Sequence, residues 1–530
     1  MALKARIENG VVYSPYPSEP VPQMSLFQVV RQCLEQHGNR TAVVWEDEQI
    51  TFAELLKMFQ QYAAGFQRHG VKRGEKVLVH LDNSLENMIA MYSVVFAGGV
   101  AVLSEPILSN ENILHMIQDS DATHILTTAS EASRFCDMRE KLDMKGYFTT
   151  GTAPGFVSAT EFKELSERTY REFPVEEPKN ELVVLLYTSG TTGRPKAVEH
   201  THYSIAASLP RSGYYQASGD HDVAASWVPI TAAMGFRNYL RLACSGARTV
   251  LLSKSAGIEK MLDTMKKYKV TTLFGSVPWI VLLAKTMEKE GIRLDSLKTV
   301  SSCSVKLTDH TLSQLEPSFD LNIVKNTYGT AEIGGVCKPP MNLSKWNGIG
   351  FPSPMVQMKV VDIESGKVLG PNESGELLVK SPTSMRGYYG NPEATSQAIT
   401  LDGWVRTGDI CYYDEEGRFF YVERMSQFFR CMGINVAPSS IESVLLSHEE
   451  VEAAAVIGVP HPRYEEAAMA FVVLKTSCEK ITEAALQEFV ADKLGNYMHL
   501  HAGVKFVDKI PKDVNGKVIR KKLRILHGGD

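Results

Sequence analysis

The sequence has no excess of basic residues from which a nucleic-acid surface could be built. Its 530 residues carry 56 Lys+Arg against 61 Asp+Glu, which gives a formal net charge of -5. A protein of this balance has no positive field with which to neutralise a phosphate backbone. We therefore expect no nucleic-acid partner.

Paired-cysteine motifs and long apolar runs are also missing. The eight cysteines show no CxxC or other metal-ligand spacing, so we interpret them as reduced and mostly buried. The longest uncharged run, Met88 to Leu103, is shorter than the roughly 20 residues that a membrane span needs. The first twenty residues lack a signal-peptide core, and the last residues, HGGD, are not an SKL-type address. These absences indicate no membrane span and a cytoplasmic protein, with peroxisome and mitochondrion left open.

Hydrophobic periodicity predicts a helix-covered sheet over most of the chain. Helical patterns at Leu26 to His37, Phe52 to His69 and Leu85 to Phe96 alternate with short apolar runs such as Lys76 to His80. From Met358 the pattern changes to short β-like runs separated by turn residues. We predict an α/β fold, in which a large N-terminal domain of helix-covered sheets carries a β-rich subdomain.

The last hundred residues have a pattern of their own. After Arg424 a helix from Pro438 to Ser447 is followed by two apolar strands and a further helix near Glu483 to Lys493. A chain of this length usually divides into several domains, since single cores stop growing at roughly 250 to 300 residues. We predict an N-terminal domain over residues 1–423 and a small, mobile α+β domain over residues 424–530.

A glycine- and hydroxyl-rich loop, YTSGTTGRPK, follows the apolar run Leu182 to Leu186. Its glycines can turn successive N–H groups inward, while its hydroxyls and its lysine suit phosphate oxygens. It is not a Walker loop, because no GK[ST] follows. The composition alone would also fit a polar surface turn. The candidate phosphate-binding residues are Thr188, Ser189, Gly190, Thr191, Thr192 and Gly193, and the charged Lys196 is a candidate catalytic residue.

This loop, with the following Thr201-His202 pair, resembles the signature of the acyl-adenylate-forming superfamily of acyl-CoA synthetases, 4-coumarate:CoA ligases and firefly luciferase. Further signatures follow in the family's order. NTYGTAE resembles the family element in which a tyrosine stacks on adenine and a glutamate binds the magnesium of ATP. The resemblance assigns ATP binding to Tyr328, Gly329 and Thr330, and catalysis and metal binding to Glu332. A carboxylate beside phosphate oxygens is a suitable Mg²⁺ site.

The segment DGWVRTGDICYYDEEGRFFYVER resembles the family's ribose-binding element and hinge. By this resemblance Asp409 accepts hydrogen bonds from the ribose hydroxyls, and Arg424 joins it at the hinge. Asp409 could otherwise be an ordinary turn residue.

PKDVNGKVIRKKLR resembles the family's C-terminal element and puts Lys517 where the adenylating lysine lies. Two anions must meet when a carboxylate approaches the α-phosphate, and a lysine placed on both of them lowers that barrier. The alternative, a solvated basic tail, suits Lys521 and Lys522 better. FFRCMGINVAPSSIE resembles the face used for thioester formation with CoA, with Arg430 and Gly433 at its key positions.

Several positions depart from the family pattern. Ala232 stands where relatives carry a histidine or aromatic residue, Ala331 replaces a threonine expected on the α-phosphate, and SSCSVKL replaces the usual GGAPL. The resemblance implies an acyl pocket that includes Ala232, Met234, Ser302, Gly334 and Val336. Bulk from Met234 and Cys303 favours a medium-chain or aryl acid.

The sequence thus predicts an acid-thiol ligase that uses ATP, Mg²⁺ and CoA on a small carboxylic acid. A luciferase-like monooxygenase, which would oxidise the adenylate, is a second hypothesis. A catalytically impaired binder of nucleotide or acyl-AMP is a third, motivated by Ala232 and Ala331.

Overall fold

The computed structural model describes residues 3–188, 195–209, 221–303, 315, 319, 323–339, 348–475, 481–513 and 516–528. Within these residues, two large sheets with mainly parallel strands, an antiparallel sheet and a smaller C-terminal sheet form the framework. The helices are Leu26–His37, Phe52–Arg68, Leu85–Phe96, Asn110–Ser120, Ala132–Met138, His202–Ala206, Ala233–Ser245, Ile258–Lys267, Val277–Glu290, Pro392–Ala398, Pro438–Leu446, Glu483–Ala491 and Arg520–His527.

The first large sheet has eight strands in the described part of the chain and carries the strand that leads into the glycine-rich loop. Its central strands are parallel, while the pairings at the end that holds Ala197–Thr201 are antiparallel. In spatial order the strands are Gly387–Tyr388, Ala197–Thr201, Leu182–Tyr187, Val100–Ser104, Lys76–His80, His124–Thr128, Gly146–Thr150 and Val157–Ser158.

The second large sheet has seven strands in the described residues, all parallel except at one edge. In spatial order they are Ile323–Asn326, Thr299–Cys303, Thr272–Ser276, Val223–Ser226, Arg248–Leu251, Thr41–Trp45 and Glu48–Thr51. Because ligands bind beyond the carboxyl ends of parallel strands, the segment after Asn326 is a place where a site is expected.

The helix Leu85–Phe96 lies between the two large sheets. Every residue of this helix except Glu86 is buried, and it contacts strands of both sheets. Its largely apolar sequence reflects this position, since a helix covered on nearly all sides has almost no solvent face. By contrast Leu26–His37 and Phe52–Arg68 are amphipathic, and each begins with a capping box, at Ser25 and at Thr51.

The third sheet is antiparallel throughout and carries the nucleotide-binding candidates Asp409 and Arg424. Its strands are Arg6–Glu8, Val11–Tyr13, Gln357–Val361, Gly375–Lys380, Val405–Tyr413 and Phe419–Arg424. The two N-terminal strands were not predicted from the sequence. They pair with each other, and Val11–Tyr13 also pairs with Gln357–Val361, which attaches the start of the chain to its β-rich part. Two short antiparallel pairings accompany this sheet, Gly329–Thr330 with Gly334–Gly335 and Cys337–Lys338 with Phe351–Pro352.

The C-terminal unit has a sheet and a hydrophobic core of its own. Its strands are Phe429–Cys431, Ile434–Val436, Val451–His461, Glu465–Leu474 and Val504–Phe506. The connection to the larger part passes through Glu423, whose carboxylate accepts hydrogen bonds from the N–H groups of Arg424 and Ser439. Glu423 therefore ties the last strand of one unit to the first turn of a helix in the next.

The fold class predicted from the sequence is confirmed. Helix-covered sheets, a β-rich part and a small α+β C-terminal part are all present in the expected order. The division at residues 423 and 424 remains a prediction. Among the described residues no helix is both long enough and apolar enough to cross a membrane.

Candidate active site

The site is built around Asp409, which is buried in the middle of the strand Val405–Tyr413. Its Oδ2 accepts a hydrogen bond of 2.7 Å from the hydroxyl of Tyr328, and its Oδ1 accepts one of 3.0 Å from Nη1 of Arg424. Arg424 also donates to the carbonyl of Thr407. The three predicted residues Tyr328, Asp409 and Arg424 thus form one hydrogen-bonded group.

Opposing effects act on the pKa of the Asp409 carboxyl. Burial raises the pKa of the Asp409 carboxyl, while Arg424, the hydrogen bond from Tyr328 and the more distant charge of Lys517 act to lower it. Since burial dominates, the pKa lies above its ordinary value. Lys517 belongs to the C-terminal unit. Because its charge acts to lower the pKa of Asp409, this unit brings a positive charge near the carboxylate.

Glu332 lies in a second group, beside Tyr388 and Lys196. The hydroxyl of Tyr388 donates to Glu332 Oε1 at 3.0 Å, and Nζ of Lys196 lies 4.9 Å from the centre of the Tyr388 ring. Within the described residues Glu332 forms no ion pair, although the charge of Arg424 is near enough to interact with it. The carboxylate therefore keeps its charge available for a cation.

Thr188 and Lys196 close the base of the glycine-rich loop. The N–H of Thr188 donates to the carbonyl of Lys196, and the N–H of Lys196 donates to Oγ1 of Thr188. Ser189, Gly190, Thr191, Thr192 and Gly193 lie outside the described residues. Thr188 and Lys196 mark the points where the loop leaves and rejoins its sheet, and Lys196 lies next to Tyr388.

An ion pair holds Tyr388 in place. Arg386 donates to both carboxylate oxygens of the buried Glu199, each at 2.8 Å, and its N–H donates to the Glu199 carbonyl. These bonds fasten the strand Gly387–Tyr388 to the strand Ala197–Thr201. A bidentate arginine–carboxylate pair has the geometric specificity needed for such positioning.

Lys517 follows a tight turn that touches the large unit. The N–H of Lys517 donates to Oδ1 of Asp513, and the N–H of Asp513 donates to the Lys517 carbonyl. Gly516 has φ of +87°, and a Cβ at this position would lie 2.1 Å from Cγ of Pro278. The turn therefore requires glycine both for its backbone conformation and for its close approach to the helix Val277–Glu290.

Gly329 and Thr330 form a short strand that pairs with Gly334–Gly335. A Cβ at Gly329 would lie 2.1 Å from the Gly334 carbonyl oxygen, so no side chain fits there. Oγ1 of Thr330 accepts a hydrogen bond from the N–H of Glu332. Thr330 thus orients the backbone of the metal-site candidate.

The predicted acyl-pocket residues fall in three places. Ala232 and the half-buried Met234 lie at the start of the helix Ala233–Ser245, where Ala232 occupies the N-cap position without a capping side chain. Ser302 is buried near the end of its strand, and its carbonyl accepts from the N–H and Oγ1 of Thr327. Gly334 has φ of +67° and faces Arg237, whereas Val336 is buried in the core of the antiparallel sheet.

The thioester-step candidates lie apart from this group. Arg430 is exposed, its N–H donates to Glu466, and its guanidinium is 3.8 Å from a carboxylate oxygen of Glu465. Gly433 adopts φ of +76° in the adjacent turn. The contacts of Arg430 are thus with its own C-terminal unit.

Sequence reasoning missed Tyr388, His200 and Arg237. Tyr388 lies in a turn-rich segment, RGYYGNPEAT, in which nothing local points to Glu332. His200 is buried and its Nε2 lies 2.7 Å from the Ala331 carbonyl oxygen, so it supports the segment that holds Glu332. The sequence signal for Arg237 was a cation among apolar residues of its helix, a signal that Arg241 shares.

Comparisons with known proteins identify the family. Residues 30–389 match the family model described as AMP-binding enzyme, and residues 440–517 match the model of the AMP-binding enzyme C-terminal domain. The chain belongs to the AMP-binding enzyme family. As the resemblance implied, it is an adenylate-forming enzyme of the acyl-CoA ligase type, and ATP or AMP binding follows from the family.

Individual relatives are similar over nearly their whole length. The chain is 28% identical to the probable 4-coumarate-CoA ligase 1 of Dictyostelium discoideum, covering 96% of this chain and 97% of the relative. It is 28% identical to a luciferin 4-monooxygenase of Nipponoluciola cruciata, covering 98% and 97%. The ATP-bound crystal structure of MatB from Rhodopseudomonas palustris, 24% identical, aligns with a TM-score of 0.85 over 95% of this chain and 99% of that one, which shows the fold.

Proposed function

We propose that the enzyme activates a small carboxylic acid with Mg²⁺-ATP and then transfers the acyl group to the thiol of CoA. In the first step a carboxylate oxygen attacks the α-phosphorus, an O–P bond forms, and the bond to the β-phosphate breaks with loss of pyrophosphate. In the second step the thiol sulfur attacks the acyl carbon, AMP leaves, and the thiol proton is released.

The observation that carries the proposal is the convergence of two units on Asp409. Tyr328 and Arg424 hold its carboxylate from the larger part, while Lys517 of the C-terminal unit lies near enough to lower its pKa. An adenylating lysine has to approach the ribose side of a bound nucleotide, and this arrangement supports that geometry. We assign the ribose hydroxyls to Asp409 and the reacting oxygens to Lys517.

Glu332 is the proposed magnesium ligand. Its carboxylate has one oxygen hydrogen-bonded to Tyr388 and, within the described part of the chain, no ion pair. Mg²⁺ prefers one or two carboxylates together with phosphate oxygens and retained waters. When bound, the ion would neutralise the charge on the leaving pyrophosphate, while Lys196 and Thr188 would bind phosphate oxygens at the loop base.

CoA is the proposed acceptor, and Arg430 and Gly433 are the proposed residues of the thioester step. The support is their exposed position on a face of the C-terminal unit. Met234 and Cys303 favour a medium-chain or aryl acid over a very long chain.

A second candidate function is that of a protein that binds nucleotide or acyl-AMP but no longer catalyses the ligase reaction. It is favoured by Ala232, which leaves the N-terminus of the helix Ala233–Ser245 without a side-chain cap, and by Ala331, which offers only backbone to a phosphate. Each missing polar partner costs roughly 1 to 3 kcal/mol, or one to two decades of rate. A luciferase-like monooxygenase is supported only by the similarity to luciferin 4-monooxygenases.

Pyrophosphate release tests the proposal. The purified enzyme is given Mg²⁺-ATP and a panel of short, medium, long and aromatic acids, with and without CoA. We expect release that requires an acid, rises with CoA, and falls roughly 10²- to 10³-fold in Lys517→Ala, because one preorganised charge supplies about that factor.

Lys521→Ala is the matched control, since Lys521 is an exposed lysine of the neighbouring helix. It should retain release. If ATP binds but no acid gives release, the impaired binder becomes the better description. If release occurs together with oxygen-dependent light, the luciferase-like hypothesis replaces the ligase.

A further inference from the structure

The guanidinium of Arg237 is buried with most of its donors unused. The residue is 7% exposed, and within the described residues its Nε and Nη1 have no hydrogen-bond partner. Its Nη2 lies 3.0 Å from both ring nitrogens of His200. Nε and Nη1 donate on opposite sides of Cδ, so an anion at the tip of the guanidinium would be bound through Nη1, and a carboxylate is a common partner of such a charged donor.

His200 cannot serve as the counter-ion. Burial and the positive charge of Arg237 hold the pKa of His200 well below its ordinary value, so the ring is neutral. Burial lowers the pKa of Arg237 to about 10, which leaves it protonated at neutral pH. No acidic side chain among the described residues forms an ion pair with Arg237, and a buried charge without a partner is strongly disfavoured.

Arg237 lies on the acyl side of the site. It is three residues after Met234 on the helix Ala233–Ser245, and side chains at this spacing share a helix face. A Cβ at Gly334 would lie 3.2 Å from its Nη1, so the glycine brings the backbone close to the guanidinium. Gly334 follows Glu332 by two residues, which places Arg237 beside the segment that holds the metal-site candidate.

A second buried donor, on Asn238, also indicates a ligand that accepts hydrogen bonds. Nδ2 of Asn238 has no hydrogen-bond partner in the described residues, while its Oδ1 accepts from Nη2 of Arg241. Positions 237, 238 and 241 lie within about 100° of each other around the helix. The unsatisfied atoms of Arg237 and Asn238 are all donors, and the group that completes them must be an acceptor.

We infer that the acyl pocket takes an acid with a second carboxylate, which Arg237 binds through Nη1 at the end remote from the carboxylate that is adenylated. This inference rests on the proposed function and narrows its substrate class to dicarboxylic acids. Arg237 then determines specificity, because it contacts the part of the substrate that does not react.

Matched pairs of acids test this assignment. Pyrophosphate release is compared for hexanoate with hexanedioate, octanoate with octanedioate, and benzoate with benzene-1,4-dicarboxylate. We expect kcat/KM to favour the diacid by about 10²-fold or more, since a site built for a charged partner rejects analogues that lack it. In Arg237→Met this preference should vanish, mainly through a higher KM for the diacid. Arg237→Lys should retain only part of it.

Arg241→Met is the matched control. It removes another buried guanidinium from the same helix, but one that already donates to Asn238 and lies over the Phe274 ring. Its preference for diacids should stay within a few-fold of the parent enzyme. An equal loss in both variants would overturn the inference, as would a parent enzyme that favours monoacids or an Arg237→Met variant that still favours diacids.

Binding measurements separate this inference from the proposed function. Calorimetric titration of hexanedioate and hexanoate in the presence of AMP requires no turnover. Binding of the diacid that depends on Arg237, without pyrophosphate release, would support the dicarboxylate site and reject the ligase. Release with monoacids alone would support the ligase and reject the dicarboxylate site. If neither acid binds and neither gives release, both are rejected.

Discussion

Asp409 and Arg424 lie directly opposite each other on neighbouring antiparallel strands, joined by a hydrogen bond of 3.0 Å. The other carboxylate oxygen accepts from the Tyr328 hydroxyl. Both oxygens are therefore oriented by the protein, and each keeps a lone pair for an incoming donor. This is a preorganised acceptor for two neighbouring hydroxyls, as a ribose presents.

Asp409→Asn should weaken nucleotide binding by about 10- to 100-fold. A hydrogen bond to a charged group is worth roughly 1.5 to 3 kcal/mol, and the amide lacks both the charge and one acceptor. Calorimetric titration with ATP in the absence of an acid measures the change. Asp402→Asn is the control, since Asp402 is exposed on the turn that precedes the same strand. Unchanged ATP affinity in Asp409→Asn would contradict the ribose assignment.

Tyr388→Phe should raise the Mg²⁺ concentration needed for half-maximal pyrophosphate release by several-fold. The change removes one hydroxyl donor that orients Glu332 and leaves the ring beside Lys196. Loss of a group that orients a metal ligand typically lowers metal affinity by about 10- to 100-fold. Loss of a single neutral hydrogen bond is expected at the low end of this range. A Mg²⁺ titration at fixed ATP is the measurement.

The neighbouring Tyr389→Phe is a close control for this prediction. Its hydroxyl donates to Asp121, away from Glu332. The Mg²⁺ requirement should therefore stay at the parent value. Equal shifts in the two variants would mean that Tyr388 acts through general stability and not through Glu332.

The large-scale fold was predictable because its signals are local. Periodicity located Leu26–His37 and Leu85–Phe96 with their observed bounds, and apolar runs located the central strands. The N-terminal strands Arg6–Glu8 and Val11–Tyr13 were missed, since each has three residues and the pair joins its sheet only through Val11–Tyr13 and the distant strand Gln357–Val361. Short strands of this kind carry almost no periodicity.

Candidate site residues were predicted only where a motif marked them. Tyr328, Asp409 and Arg424 were found by resemblance, and the structure brings them into contact. Tyr388 and Arg237 were missed, because their importance comes from long-range neighbours, Glu332 in one case and Gly334 in the other. No local pattern encodes such pairings.

Stability should fall as the pH is lowered from 7.5 to 5. His80 is fully buried, and burial, followed by the charge of Arg134, lowers its pKa to about 4. The unfolded chain, with an ordinary pKa near 6.5, binds more protons between these values, so acid favours unfolding. The contribution of this one group is about 1 to 2 kcal/mol over that range.

Urea unfolding at a series of pH values measures this contribution. His80→Gln should unfold with a smaller loss of stability between pH 7.5 and 5, because glutamine does not titrate while its amide can still reach Ser104, the present partner of His80. An identical pH dependence in the parent and variant would show that His80 is not the group responsible.

Gly516→Ala should lower pyrophosphate release by about tenfold or more even though Lys517 is kept. A methyl group at this position would lie 2.1 Å from Cγ of Pro278, so the turn must withdraw from the helix Val277–Glu290 and carry Lys517 away from Asp409. Misplacement of a catalytic group by about 1 Å can cost 10²-fold in rate.

Gly528→Ala is the control, because Gly528 has φ of +97° and no neighbouring atom within 4 Å. It introduces the same kind of backbone strain without the contact. Equal activity in the two variants would mean that the approach of Gly516 to Pro278 does not position Lys517.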